Sequence, residues 1–302
     1  METVNQVPGG KISRGWSMTK SAWRVLMLDK ELAIMPLLST VASVALLTPF
    51  LLFAWAKTGF MNNVNASTNS QAGNGWQAVI WVVIIVIGTI ITNFFAGAIV
   101  HAALQRFRGG DPTVRGSLAA AWAKIGPIAA FSVLAATVGY LLSLLEQRLP
   151  FAGKIAAWIA DAAWSIATLF AIPVIVDSQE YVGPIEAVRK SAGIVKQTWG
   201  ENIVVSVGIA IIGMLSFLAS IVIVGGVGAL LVSVGAPSLA LIAYGVIAVM
   251  GMILLAVIFS LLSAIAKVAI YYYATTGKAP EVFSQELLHA AMTPKKARKI
   301  FS

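Results

Sequence analysis

The sequence predicts an all-α integral membrane protein, a bundle of six transmembrane helices with amphipathic helices lying on its cytoplasmic face. Three observations predict it. Of the 302 residues, 59% are apolar and 11% charged, with a mean hydropathy of +0.87; a soluble domain carries about 25% charged residues, so too little polar side chain is present to cover a soluble body. Six continuously apolar runs reach the length of about 20 residues that a helix needs to cross about 30 Å of hydrocarbon. Lysine and arginine, finally, are concentrated in every other segment between those runs.

The predicted spans are Leu32 to Trp55, Trp76 to Val100, Ile125 to Leu145, Ile155 to Val176, Ile203 to Ile223 and Leu239 to Leu262. They are helices and not barrel strands, because a barrel strand alternates over about ten residues. Only the fourth holds a charge, Asp161. The break between the fifth and sixth is inferred from Gly225, Gly226, Gly228, Gly235 and Pro237, with Gly225–Gly228 read as a turn. Lys and Arg number 5 before the first span, 4 in the second loop, 3 in the fourth and 6 after the last, against 1, 2 and 0 in the loops between. The positive-inside rule therefore places both termini in the cytoplasm and the Lys57–Gly75 loop outside. Trp55, Trp76 and Trp81 suit an outer aromatic belt, and Tyr271, Tyr272 and Tyr273 an inner one. A cleavable signal peptide is the rival reading of the first span, since Ala54-Trp55-Ala56 has a cleavage-site look. Eight charges in the first 31 residues and an apolar core beyond the usual length of about 7–15 argue against it.

Surface helices are expected at about 11–28, 111–122 and 184–199. Ile12, Trp16, Thr19, Trp23 and Leu26 recur at helical steps with Lys11, Arg14, Lys20 and Arg24 between most of them. Ile185, Val188, Ala192, Val195 and Trp199 repeat those steps after Gly183-Pro184, a helix start, beside Arg189 and Lys190. Asp111-Pro112 is read as an N-cap pair opening the helix with Val114, Leu118, Ala121 and Trp122. Setting Lys20-Ser21-Ala22 over Lys190-Ser191-Ala192 also aligns Val25 with Val195 and Glu31 with Glu201. The chain then reads as three units of surface helix plus hairpin, 11–108, 111–177 and 183–276, within one membrane domain (1–280) followed by a basic tail (281–302).

Three stretches carry a resemblance: Arg14 to Ser39, Phe95 to Gly139 and Ile172 to Gly208, with the strings Gly-Pro-Ile-Glu-Ala and Thr-Trp-Gly-Glu-Asn. They resemble a bacterial membrane-protein family catalogued as domain of unknown function 6159. The resemblance implies a bacterial multi-span protein and no assigned activity, and the bacterial inner membrane is the expected location.

Intramembrane polar residues are the candidates for function. Asp161 is either a proton or cation site or a shallow carboxylate reaching Arg148 or Lys154; a mid-bilayer charge costs about 2.5–3.5 kcal/mol on the insertion scale. Asn93, Gly97, His101 and Gln105 share one helix face, which suits interhelical packing better than a pathway lining. Pro36, Pro49, Pro127 and Pro173 lie in or near spans, as Pro commonly does in membrane helices; broken transporter helices are the other reading.

No phosphate-binding glycine loop, zinc-protease motif or nucleophile elbow is present. Cysteine is absent and the two histidines, His101 and His289, are far apart. Neither metal nor cofactor is therefore expected, and no enzyme. The net charge of +9 is read as topology plus attraction to anionic lipid headgroups, and no nucleic acid is expected. The lipid-interface candidates are Trp16, Lys20, Trp23, Arg24, Trp122, Arg189, Lys190 and Trp199. The expected role is a non-catalytic scaffold or assembly factor binding lipid headgroups and a membrane-protein partner or second copy. A transporter or channel using Asp161 and Asn93 is the alternative.

Overall fold

The computed structural model describes residues 11–29, 33–58, 75–197, 202–283, 285 and 288. Among them the chain forms helices only: α1 (Lys11–Leu28), α2 (Ile34–Thr58), α3 (Gly75–Phe107), α4 (Val114–Ala123), α5 (Ile125–Arg148), α6 (Phe151–Ala167), α7 (Ala171–Asp177), α8 (Pro184–Gln197), α9 (Asn202–Ser233) and α10 (Ser238–Thr276). Among the described residues, six segments are long and apolar enough to cross a membrane: Ile34–Phe53, Val79–Phe107, Ile125–Arg148, Gly153–Asp177, Gly213–Ser233 and Ser238–Thr276. Most of their exposed side chains are apolar, Val41, Val79, Trp158, Val222 and Leu239 among them. That arrangement is stable only where hydrocarbon takes the place of water. Hydroxyls on these helices turn back on their own backbone: Thr40, Thr89, Thr137 and Ser220 each donate to the carbonyl four residues earlier, which meets the demand that lipid cannot.

The helices fall into two compact units. In the first, α1 packs on α9 and α10, and α9 on α10. The break between the last two spans lies later than the glycine cluster suggests. Gly225–Gly228 is helical, and the chain turns only at Gly235, whose φ is +70°. There Gly235 N–H donates to Val232 and Ala236 N–H to Leu231, both at 3.0 Å. This double bond pattern closes a helix around a left-handed residue, and Pro237 then caps α10. Glycines at 225–228 serve packing instead. Tyr244 lays its ring edge beside Gly228, where an added Cβ would stand 3.4 Å from it, and its hydroxyl donates to the Val224 carbonyl at 2.5 Å.

At 39 residues, α10 is about 58 Å long, nearly twice the hydrocarbon thickness. Its first part is exposed and apolar, and residues from Leu261 to Tyr273 are mostly buried. Tyr271 and Tyr273 are thus core residues and not a belt, and Tyr272 packs on Phe107, ring centroids 5.9 Å apart.

In the second unit α5 packs on α6 and α7, and α4 leads into α5. The fourth span is two helices. Pro173, which lacks an N–H and crowds the carbonyl four residues before it, follows a turn at 168–170 that separates α6 from α7.

Candidate functional site

The polar stripe of α3 faces protein. Asn93 Nδ2 donates to Ser132 Oγ on α5 at 2.9 Å, and Ser132 Oγ donates to the Ile128 carbonyl. One turn on, a Cβ at Gly97 would come within 3.1 Å of Ile128 Cδ1 and 3.4 Å of Val176 Cγ2. Glycine is what lets these helices approach so closely. His101 follows, partly buried. Gln105 Nε2 ends the stripe, donating to the Asp111 carbonyl at 3.1 Å.

Asp111 does not cap α4. Its carboxylate takes Arg106 at 2.9 Å, and the cap is Thr113, in extended conformation, whose hydroxyl accepts from Gly116 N–H at 3.1 Å. Lys124 ends α4 and begins α5, and its ammonium donates to the Ser178 carbonyl at 2.7 Å. The α4–α5 corner is thereby tied to the α7–α8 connection.

Helices α1, α4 and α8 each carry a buried line beside an exposed flank. On α1 the buried line is Met18, Ala22, Val25 and Leu26, whereas Trp16 and Trp23 are 60% and 43% exposed beside the exposed Lys20 and Arg24. On α4 Ser117 and Ala121 are buried and Trp122 is 67% exposed. On α8 Ala187, Ser191 and Val195 are buried, while Ile185, Arg189 and Lys190 face out. Apolar periodicity merges two environments, protein on one flank and an exposed aromatic flank on the other. A buried serine inside each of two helices, Ser117 and Ser191, was the sequence signal for where the protein-facing line runs.

Electrostatics at α8 are local. The Lys190 ammonium hydrogen-bonds Glu186 at 2.8 Å. That bond, then the coulombic pull of Lys190 and a smaller one of Arg189, holds the Glu186 carboxyl below the usual carboxylate range.

Asp161 lies on an exposed face of α6, and among the described residues no hydrogen bond or ion pair ties it to Arg148 or Lys154. Trp199 and most of the basic tail fall outside the described residues. No group of three or more metal-ligating side chains occurs among the described residues. Lys267, half-buried within α10, is a charge that the hydropathy pattern hides at the end of the last apolar run.

A family model described as a family of unknown function, DUF6159, matches residues 75–281. The match runs from the start of α3 to just past α10, so the Arg14 to Ser39 stretch lies outside it. No curated protein and no solved structure matches the chain.

Proposed function

This chain belongs to the family of unknown function DUF6159, and within it we propose a non-catalytic role: a scaffold or assembly factor of the bacterial inner membrane that binds anionic lipid headgroups and a protein partner or second copy at the cytoplasmic leaflet. Both termini then face the cytoplasm, and α1, α4 and α8 are the interfacial helices. The observation that carries this reading is their two-sided build, one line buried against protein and tryptophan or basic side chains left outward. An amphipathic helix already tethered to a span needs no affinity for retention, so outward Trp and Arg serve geometry or lipid recognition. The equivalence of Val25 and Val195, buried at matching positions of α1 and α8, supports descent from a repeated unit.

Transport needs a polar route, and the two residues that could line one do not favour it. Asn93 is engaged with Ser132, and Asp161 lies on an exposed face.

The test is the lipid that co-purifies with the full chain. Each basic residue near an anionic surface is worth about 1 kcal/mol, or roughly 5-fold in affinity. Anionic phospholipid should be enriched over the bulk membrane, and Lys20→Gln with Arg24→Gln, Arg189→Gln and Lys190→Gln should remove most of that enrichment. Bulk composition around the unaltered protein would reject the reading.

A further inference from the structure

We propose that the trough between α2, α3 and α4 binds one phospholipid molecule, an acyl chain lying along its walls and the phosphate meeting Arg115. The cavity, about 610 Å³, is within the range of small-molecule sites. Leu38 and Val41 of α2, Phe94 of α3, and Leu118 and Trp122 of α4 make its walls. Arg115 is the one charged residue of the lining. Charge at a single point of an otherwise hydrocarbon trough matches the polarity of a phospholipid, which carries its charge at one end.

Two details make this a site and not a gap. Trp122 is fixed edge-on to Phe94, centroids 6.2 Å apart at 86°, so one wall is a rigid aromatic pair although the indole is largely exposed. Arg115 is exposed and no carboxylate among the described residues pairs with it, whereas Arg106, also near this end of α3, is held by Asp111. A guanidinium presents a planar fork that suits phosphate oxygens. A second copy of the chain is the less favoured occupant, because each copy carries 21 basic against 12 acidic residues and the two would repel. The inference rests on the preceding reading that α4 lies at headgroup depth.

The test uses the full chain in detergent with Trp122 as its only tryptophan, titrated with phosphatidylglycerol or phosphatidylcholine brominated on the acyl chain. Saturable quenching by the brominated phosphatidylglycerol, reversed by the unbrominated lipid, is expected. Arg115→Gln should weaken that lipid about 5-fold, and weaken phosphatidylcholine, whose phosphate is offset by its own choline cation, by less. Ala119→Phe, which fills the trough, should abolish quenching by both, with Val41→Phe as the equivalent from α2 should the first variant fail to fold. Unsaturable quenching, or Arg115→Gln without effect, overturns the proposal. So does an unquenched Trp122 in a protein that cross-links to itself through Ala119→Cys, which would give the trough to a second copy. A variant keeping only Trp16 separates the two levels of failure. Anionic-enhanced quenching there, with none that saturates at Trp122, rejects the trough alone, and its absence at both positions rejects the surface reading itself.

Discussion

The hydroxyl of Ser191, fully buried on α8, accepts a hydrogen bond from the backbone N–H of Phe170 at 2.9 Å. Ahead of Pro173 the chain leaves the four-residue ladder: Leu169 N–H bonds the Ile166 carbonyl, three residues back, at 3.2 Å, and Phe170 N–H reaches across to α8. In a region with little water, a backbone donor must be satisfied by protein. Helix α8 therefore completes the backbone at the break before Pro173, and is anchored by a polar bond as well as by Ala187 and Val195.

Ser191→Ala should cost about 1–3 kcal/mol, the penalty for stranding a buried N–H. Thr137→Ala, which removes a hydroxyl bonded only within its own exposed turn, should change stability by less than about 0.5 kcal/mol. Thermal unfolding in detergent measures both. Equal effects would mean that the Phe170 bond contributes nothing particular.

Asn93 and Ser132 should be energetically coupled. In a double-mutant cycle of Asn93→Leu and Ser132→Ala, an interhelical bond predicts a coupling of about 0.5–2 kcal/mol. A value near zero would release Asn93 from its packing role and reopen the pathway reading.

The legible part of this fold was the part governed by hydropathy. Six long apolar segments could be counted because each must cross the same thickness of hydrocarbon. Connections were less legible, since Gly225–Gly228 and Gly235 look alike in sequence and only a left-handed φ with its two closing bonds distinguishes the turn. The break before Pro173 was hidden because the residues of the turn, Thr168-Leu169-Phe170, are as apolar as a helix would be. On α1 and α4 the exposed Trp16, Trp23 and Trp122 share the apolar steps with the buried Leu26 and Ala121, because lipid and protein both accept apolar side chains and a periodicity argument cannot separate them. Buried small and polar residues, Ser117 and Ser191, mark the protein side more faithfully than the large apolar ones.

The position of the last turn has its own test, made simple by a chain without cysteine. A cysteine at Val234, which is 75% exposed beside the turn, should react with a membrane-impermeant maleimide on intact cells. One at Gly226, within α9, should not. The reverse pattern would restore the glycine cluster as the loop, and labelling from the cytoplasmic side alone would invert the topology.

The central claim is that the exposed flank of α1 meets the cytoplasmic headgroups. Full-length protein is reconstituted with Trp16 or Trp23 as the single tryptophan, and quenchers are placed at graded depths in vesicles of neutral or anionic lipid. Strongest quenching by the shallow probes is expected at both positions, increased by anionic lipid and reduced when Lys20 and Arg24 are neutralised. Absence of quenching at both tryptophans would mean that this flank docks on protein, and the lipid-facing account would be wrong.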